Sequence, residues 1–168
     1  GHTQQRQAPE FQFSGETEAI VNFLSCYVRH VKFGVHFNAA FAESMAHDSY
    51  TPDQAAVHWM ITENFRTEKP MDESNSEHNE LRYQHRGYAK YADIVRLFGW
   101  ETFAGFHFQE NVDYNNGIGR DRNDRWKEYM DSDGLHASDS RTLRWSIQAG
   151  YDLIPLIHFW GVHPVREA

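Results

Sequence analysis

The chain has 168 residues, of which 40% are hydrophobic and 15% aromatic, so a compact core can form and wholesale disorder is excluded. Its formal net charge of -8, from 24 acidic and 16 basic residues, argues against a nucleic-acid partner, because phosphate binding depends on clustered Lys and Arg. No apolar run reaches the roughly 18 residues of a transmembrane segment, and a single cysteine, Cys26, excludes an internal disulfide.

The first predicted helix runs from about Glu16 to Lys32. Ser14 or Thr17 can cap its start, and Gly34 is predicted to end it. Its apolar residues recur at three- and four-residue steps, as on one buried stripe of a helix. They are Ala19, Ile20, Phe23, Leu24, Tyr27, Val28 and Val31.

A second helix is predicted from Pro52 to about Phe65. Thr51 supplies a capping side chain, proline occupies the first helical position and Asp53 follows it, a combination typical of a helix start. The stretch from Thr67 to Glu80 is polar, contains a proline and lacks periodicity, so we predict an exposed loop there.

The second half of the chain predicts five more helices, three of which are followed by a glycine. They are His85 to Phe98, Trp100 to Asn111, a short helix that holds Trp126, Tyr129 and Met130, Arg141 to Ala149, and Leu153 to Trp160. The stop glycines are Gly99, Gly150 and Gly161, and Ser138 or Asp139 is the predicted cap of the fourth helix. No stretch shows sustained alternation of apolar and polar residues. The predicted fold is therefore mainly α, with six or seven helices in a single domain over residues 1–168.

Eleven histidines prompt a search for metal-ligand spacing. No intact H-E-x-x-H, H-x-H or C-x-x-C motif occurs in the sequence. Eight histidines are isolated, and we interpret them as surface or hydrogen-bonded packing residues. They are His30, His36, His47, His58, His107, His136, His158 and His163.

The opening of the chain carries the one informative spacing, because fifteen residues separate His2 from Glu18. In a gluzincin, H-E-x-x-H places two histidine ligands on one helix face, and a glutamate from the following helix is the third ligand. Gly1-His2 can form the last two positions of such a motif, and Glu18 can be the third ligand. Gly-His also occurs as a remnant of expression tags, an alternative that the sequence leaves open.

Four blocks of sequence resemble, in the same order, the C-terminal half of the enhancin-like, mucin-degrading zinc peptidases. They are Gly1 to Gln7, Thr17 to Asn22, Tyr88 to Trp100, and Ser146 to Gly161. The resemblance implies the helical C-terminal lobe of a gluzincin-type metallopeptidase, truncated inside its H-E-x-x-H motif. It further implies a Zn²⁺ cofactor, protein or glycoprotein substrates such as mucins, pairing with an N-terminal half of the catalytic domain, and a secreted or cell-surface location.

The same resemblance implies that His2 is the second zinc ligand and Glu18 the third. Glu16, two positions earlier, points to a different side of the helix, and Glu18 is preferred because it stands in the matching Thr-Glu-Ala context. Asn22 follows Glu18 by four residues and so shares its helix face, where it can orient a ligand by hydrogen bonding.

The general-base glutamate of H-E-x-x-H is absent from this chain, and the family pattern expects it immediately upstream. Candidates for stabilising the transition state are Tyr83, His85 and Tyr88, which cluster at the start of a predicted helix. An alternative for Tyr88 is a core position, since it also fits the apolar helical spacing. We predict that the isolated 168 residues have no peptidase activity.

A second hypothesis is a non-catalytic protein-interaction module. The opening, through Gln4 to Gln7, is also similar to the TRP channel-associated factors of the same superfamily, which can lack ligand histidines. Two ligands without a base cannot hold a zinc ion well, which supports this alternative. The histidine at position 2 favours the catalytic hypothesis.

Overall fold

The computed structural model describes Phe13 and residues 17–44, 50–71, 87–116 and 137–165, with the side chains of residues 17–21, 87, 114 and 137 outside that description. These residues form α-helices, one π-helical segment and no strand, which confirms the prediction of a mainly α fold. In chain order the elements are α1 (Thr17–Tyr27), the π-helical segment (Val28–Lys32), α2 (Phe37–Glu43), α3 (Pro52–Met60), α4 (Glu63–Arg66), α5 (Gly87–Phe98), α6 (Trp100–Asn115), α7 (Ala137–Ala149) and α8 (Ile154–Phe159).

The described residues pack as two compact units. The first comprises the described residues up to Asp93 except Phe13, and the second comprises Phe13 and the described residues from Ile94 onward. A single domain over residues 1–168 stays a prediction. Within the described ranges, no helix is both long and apolar enough to cross a membrane.

The first unit is built on contacts of α1 with α2, of α2 with α3 and of α3 with α4. Its core holds mostly aromatic and small side chains, which are fully or almost fully buried: Phe23, Cys26, Ala40, Phe41, Ala55, Trp59, Tyr88, Ala89, Tyr91 and Ala92. Aromatic rings bury large areas, and the alanines let neighbouring helices approach closely.

The second unit is built on α7, which packs against both α6 and α8. The Phe106 ring stacks on the Trp145 ring with centroids 3.7 Å apart and an angle of 7° between the planes. Other buried apolar side chains complete this core: Phe13, Ile94, Val95, Phe103, Leu153, Ile157 and Trp160.

Some helices in the structure begin where the sequence predicted, and others do not. Thr51 caps α3 as predicted, since its hydroxyl accepts a hydrogen bond from the backbone N–H of Gln54 and the Gln54 side chain accepts one from the backbone N–H of Thr51. The predicted helix from Pro52 to Phe65 is divided, because Thr62 donates to the Trp59 carbonyl (2.7 Å) and caps a new helix through the Phe65 N–H.

Two other differences concern the start of α7 and the presence of α2. Helix α7 begins at Ala137, so Ser138 and Asp139 lie inside it and do not cap it. Asp139 instead accepts the backbone N–H of Val165. Helix α2 was not predicted, and it is a short helix that buries Ala40 and Phe41.

The predicted stop glycines have the expected backbone conformation. Gly34, Gly99, Gly150 and Gly161 all have positive φ, in the left-handed region that a residue without Cβ adopts freely. Three other predictions lie outside the described residues: the cap at Ser14, the loop beyond residue 71, and the short helix with Trp126, Tyr129 and Met130.

Candidate functional site

Helix α1 carries two of the predicted site residues. Glu18 lies in its first turn and Asn22 one turn later, so the two backbone positions lie along one side of one helix. The Glu18 side chain lies outside the described atoms, and four further residues of the predicted site or its alternatives lie outside the described residues: His2, Glu16, Tyr83 and His85. The described surroundings of the site are therefore those of Asn22 and Tyr88.

A hydrogen bond joins α1 to α5 at Asn22. The Tyr88 hydroxyl donates to the backbone carbonyl oxygen of Asn22 at 2.8 Å, across 66 residues of sequence. The bond meets α1 one turn after Glu18, so it helps to fix the position of the helix that carries the predicted third ligand. The spacing of the sequence does not reveal this contact.

Tyr88 is fully buried in the first unit. Its ring meets Phe23 edge-on, with centroids 4.8 Å apart, and lies 4.6 Å from the Phe41 ring. The side chains of Ser44 and Cys26 also interact with its hydroxyl. The sequence left two interpretations of Tyr88, and a buried ring with an engaged hydroxyl favours packing. Its role as a transition-state stabiliser stays a prediction.

Burial controls the ionisation of the Tyr88 hydroxyl and the Cys26 thiol. It raises the pKa of Tyr88 well above its ordinary value, and the neighbouring Cys26 adds to that effect. Burial also raises the pKa of the Cys26 thiol to about 12, although the Tyr88 hydroxyl and the charge of Arg29 act in the opposite direction. Both side chains are therefore neutral at physiological pH, and the thiol is not a nucleophile in the folded protein.

The raised pKa of Cys26 makes the stability of the protein depend on alkaline pH. Between pH 9 and pH 12 the unfolded thiol loses its proton while the folded thiol keeps it, so the free energy of unfolding falls as pH rises. We expect a slope of up to about 1.4 kcal/mol per pH unit from this one group. Urea unfolding of the wild type and of Cys26→Ala at several pH values measures it.

Cys26→Ala is expected to have the shallower slope over that range. Cys26 also raises the pKa of Tyr88, so the substitution changes the contribution of Tyr88 above pH 10 as well, and the difference between the slopes from pH 9 to pH 10 is the one that reports the thiol. Equal slopes would contradict a protonated, buried Cys26.

The π-helical segment that follows α1 is held by contacts on two sides. Arg29 forms an ion pair with Glu43 at 2.6 Å, and His30 Nδ1 lies 2.9 Å from the Val35 carbonyl oxygen. The Phe33 N–H closes the segment on the Val28 carbonyl. The exposed ion pair stabilises the fold by at most about 1 kcal/mol. π-Helical turns are frequent at functional sites. The segment therefore anchors the C-terminal end of the predicted ligand helix.

A buried ion pair lies in the second unit and was not predicted. Arg141 is fully buried and pairs with Glu110, whose other carboxylate oxygen lies 3.0 Å from Nδ1 of His107. The Arg141 guanidinium also lies over the rings of Phe106 and Phe13, at 4.9 and 5.4 Å. One signal was available in the sequence, since Glu110 follows Phe106 by four residues and thus places a carboxylate on an apolar stripe.

An open cavity of about 770 Å³ in the second unit, here called the α7–α8 trough, was also not predicted. It is lined by α7, the turn after it, α8 and residues 162–164. Its lining is mostly apolar and includes Leu143, Ile147 and Tyr151, which are all exposed. Exposed apolar patches of this kind mark interaction surfaces.

No group of three or more His, Cys, Asp or Glu side chains that could hold a metal ion occurs among the described residues. Neither a known protein family, nor a curated protein, nor a solved structure matches the chain. The relation to the enhancin-like peptidases therefore stays a prediction that depends on the four sequence blocks.

Proposed function

We propose that this chain is the C-terminal lobe of a zinc-dependent endopeptidase that acts on glycoproteins such as mucins. The observation that carries the proposal is the spacing of His2 and Glu18 within blocks that resemble the enhancin-like peptidases. It is supported by α1, which holds Glu18 and Asn22 on one side of a helix that is joined to α5 through Tyr88. On this proposal the protein acts outside the cell or at its surface.

The predicted donors fit zinc in kind, because imidazole nitrogen and carboxylate oxygen are ligands that Zn²⁺ accepts. When bound, zinc lowers the pKa of a coordinated water and polarises a substrate carbonyl. In this proposal, His2 and Glu18 of this chain would bind the metal ion, and Asn22 would orient one of these ligands by hydrogen bonding. Tyr88 helps to fix α1, and the lobe forms one wall of the cleft. The first histidine ligand and the general base come from the N-terminal half of the catalytic domain.

The proposal is tested with the protein that includes the residues preceding Gly1. We expect it to cleave a mucin-type glycoprotein, to lose that activity with a chelator and to regain it with zinc. Glu18→Ala should lower the rate at least about 100-fold, since loss of a metal ligand removes both water activation and carbonyl polarisation. The 168 residues alone should be inactive.

The absence of a His-Glu pair at the two expected positions upstream of Gly1 would exclude the enzyme proposal. Cleavage by the isolated 168 residues would instead refute the prediction that this lobe alone is inactive. Cleavage that is unaffected by chelation would exclude the role of zinc.

A non-catalytic interaction module is the second candidate function. The observation that favours it is the α7–α8 trough, an exposed apolar surface that suits a protein partner. The two candidates are distinguished by the metal content of the full-length protein, because a module without catalysis has no need of stoichiometric zinc.

A further inference from the structure

The α7–α8 trough has an apolar floor along one side of α7. Leu143 and Ile147 lie four residues apart on that helix, and Tyr151 continues the row just beyond its end. Leu143 is 48% exposed, Ile147 71% and Tyr151 69%. Ile157 of α8 also lines the trough and is buried.

The exposure of these side chains shows what size of ligand fits. A site for a small molecule encloses most of its ligand and has lining side chains that are largely covered. Here three lining side chains are about half exposed or more, so the site is an open channel and not a closed pocket. A helix laid along the row covers such a surface, as amphipathic helices do in hydrophobic grooves.

Carboxylates mark both ends of the row. Asp139 precedes Leu143 by four residues, and Asp152 follows Tyr151. Both Asp139 oxygens accept the Val165 N–H, at 3.0 and 3.2 Å, and Asp152 Oδ1 accepts the Ile154 N–H at 2.9 Å. These bonds give the carboxylates fixed positions.

Among the described residues the lining includes no Lys or Arg, and its other titratable side chains there are those of Tyr151 and His163. Asp139 lies about 15 Å along α7 from the C-terminal end of that helix, given a rise of about 1.5 Å per residue. A helix laid along α7 from Asp139 to that end spans about ten residues.

We infer that the α7–α8 trough binds an amphipathic, basic helix of a partner protein. The apolar stripe of that helix covers Leu143, Ile147 and Tyr151, and a Lys or Arg near each end of the stripe pairs with Asp139 or Asp152. The inference goes beyond the proposed function, because it requires neither zinc nor the N-terminal half of a catalytic domain.

A labelled synthetic peptide tests the inference against the 168-residue chain. The probe is an 18-residue amphipathic helix of Leu and Lys, and fluorescence anisotropy measures its dissociation constant. One control peptide has the same composition in scrambled order, and another has Glu in place of Lys. We expect micromolar binding of the probe, weakened by added salt, and binding at least about tenfold weaker for both controls.

Substitutions in the chain then locate the binding surface. Ile147→Asn should weaken binding at least about fivefold, and Asp139→Asn with Asp152→Asn should remove most of the salt dependence. The matched control is Phe108→Asn on α6, since Phe108 is 70% exposed and does not line the trough. It should leave binding unchanged, and circular dichroism is used to check that every variant folds.

Three outcomes would overturn the inference. The first is absence of binding, or equal binding of the probe and either control peptide. The second is equal weakening by Ile147→Asn and Phe108→Asn. The third is a dimer in sedimentation velocity that Ile147→Asn dissociates, which assigns the trough to a second copy of this chain.

Discussion

Replacing Arg141 by methionine is expected to lower the free energy of unfolding by about 3–5 kcal/mol, the usual cost of removing one partner of a buried ion pair. Arg141 is fully buried, and its partner Glu110 is almost so. Without the guanidinium, the Glu110 carboxylate keeps only His107 as a described partner, in a setting of aromatic rings. Urea unfolding followed by circular dichroism measures the loss.

Arg144→Met is the matched control for this experiment. Arg144 lies on the same helix and also over the Phe106 ring, but its ion pair with Asp113 is partly exposed and longer, at 3.7 Å. We expect a loss of about 1 kcal/mol or less from it. The double variant Arg141→Met with Glu110→Leu should recover part of the loss, because apolar residues replace both buried charges. Equal effects of the two single arginine variants would contradict a structural role for the buried pair.

Tyr88→Ala should cost about 3–5 kcal/mol of stability, as truncation of a buried aromatic side chain does. Tyr88→Phe should cost about 1–3 kcal/mol, since it keeps the ring contacts with Phe23 and Phe41 but removes the hydroxyl that donates to Asn22. Chemical unfolding of both variants against the wild type measures these losses.

The activity of Tyr88→Phe separates packing from catalysis. If the hydroxyl serves packing, the proposed cleavage rate of the full-length protein, per folded molecule, should change by no more than about twofold. A hydroxyl that stabilises the transition state would instead lower kcat about 100- to 1000-fold on removal. A rate loss of that size with little loss of stability would show that Tyr88 faces the substrate.

Local signals in the sequence predicted much of the fold. The apolar stripe that includes Phe23 predicted α1, the Thr51-Pro52 pair predicted the start of α3, and glycines with positive φ lie where helices were expected to end. The prediction that this whole stripe is buried was wrong, because Leu24, Val28 and Val31 are exposed. The features of the fold that differ from the prediction depend on local side-chain hydrogen bonds or on burial. Thr62 divides a predicted helix by bonding to Trp59, and α2 is stabilised by the burial of Ala40 and Phe41.

Only the part of the candidate site that lies on a single helix could be predicted from the sequence. A four-residue step places Glu18 and Asn22 on one side of α1, which spacing alone predicts. The hydrogen bond from Tyr88 spans 66 residues, and the pairing of Arg141 with Glu110 spans 31, so neither follows from local periodicity. A buried arginine also departs from the usual exposure of charged side chains.

The most direct test of the proposed zinc site is the metal content of the full-length protein, measured by inductively coupled plasma mass spectrometry after dialysis. We predict one zinc per molecule in the wild type and in Glu16→Ala, and loss of zinc in Glu18→Ala. Full zinc occupancy in Glu18→Ala, or a wild type without zinc after addition of the metal, would contradict the assignment of Glu18 as a ligand.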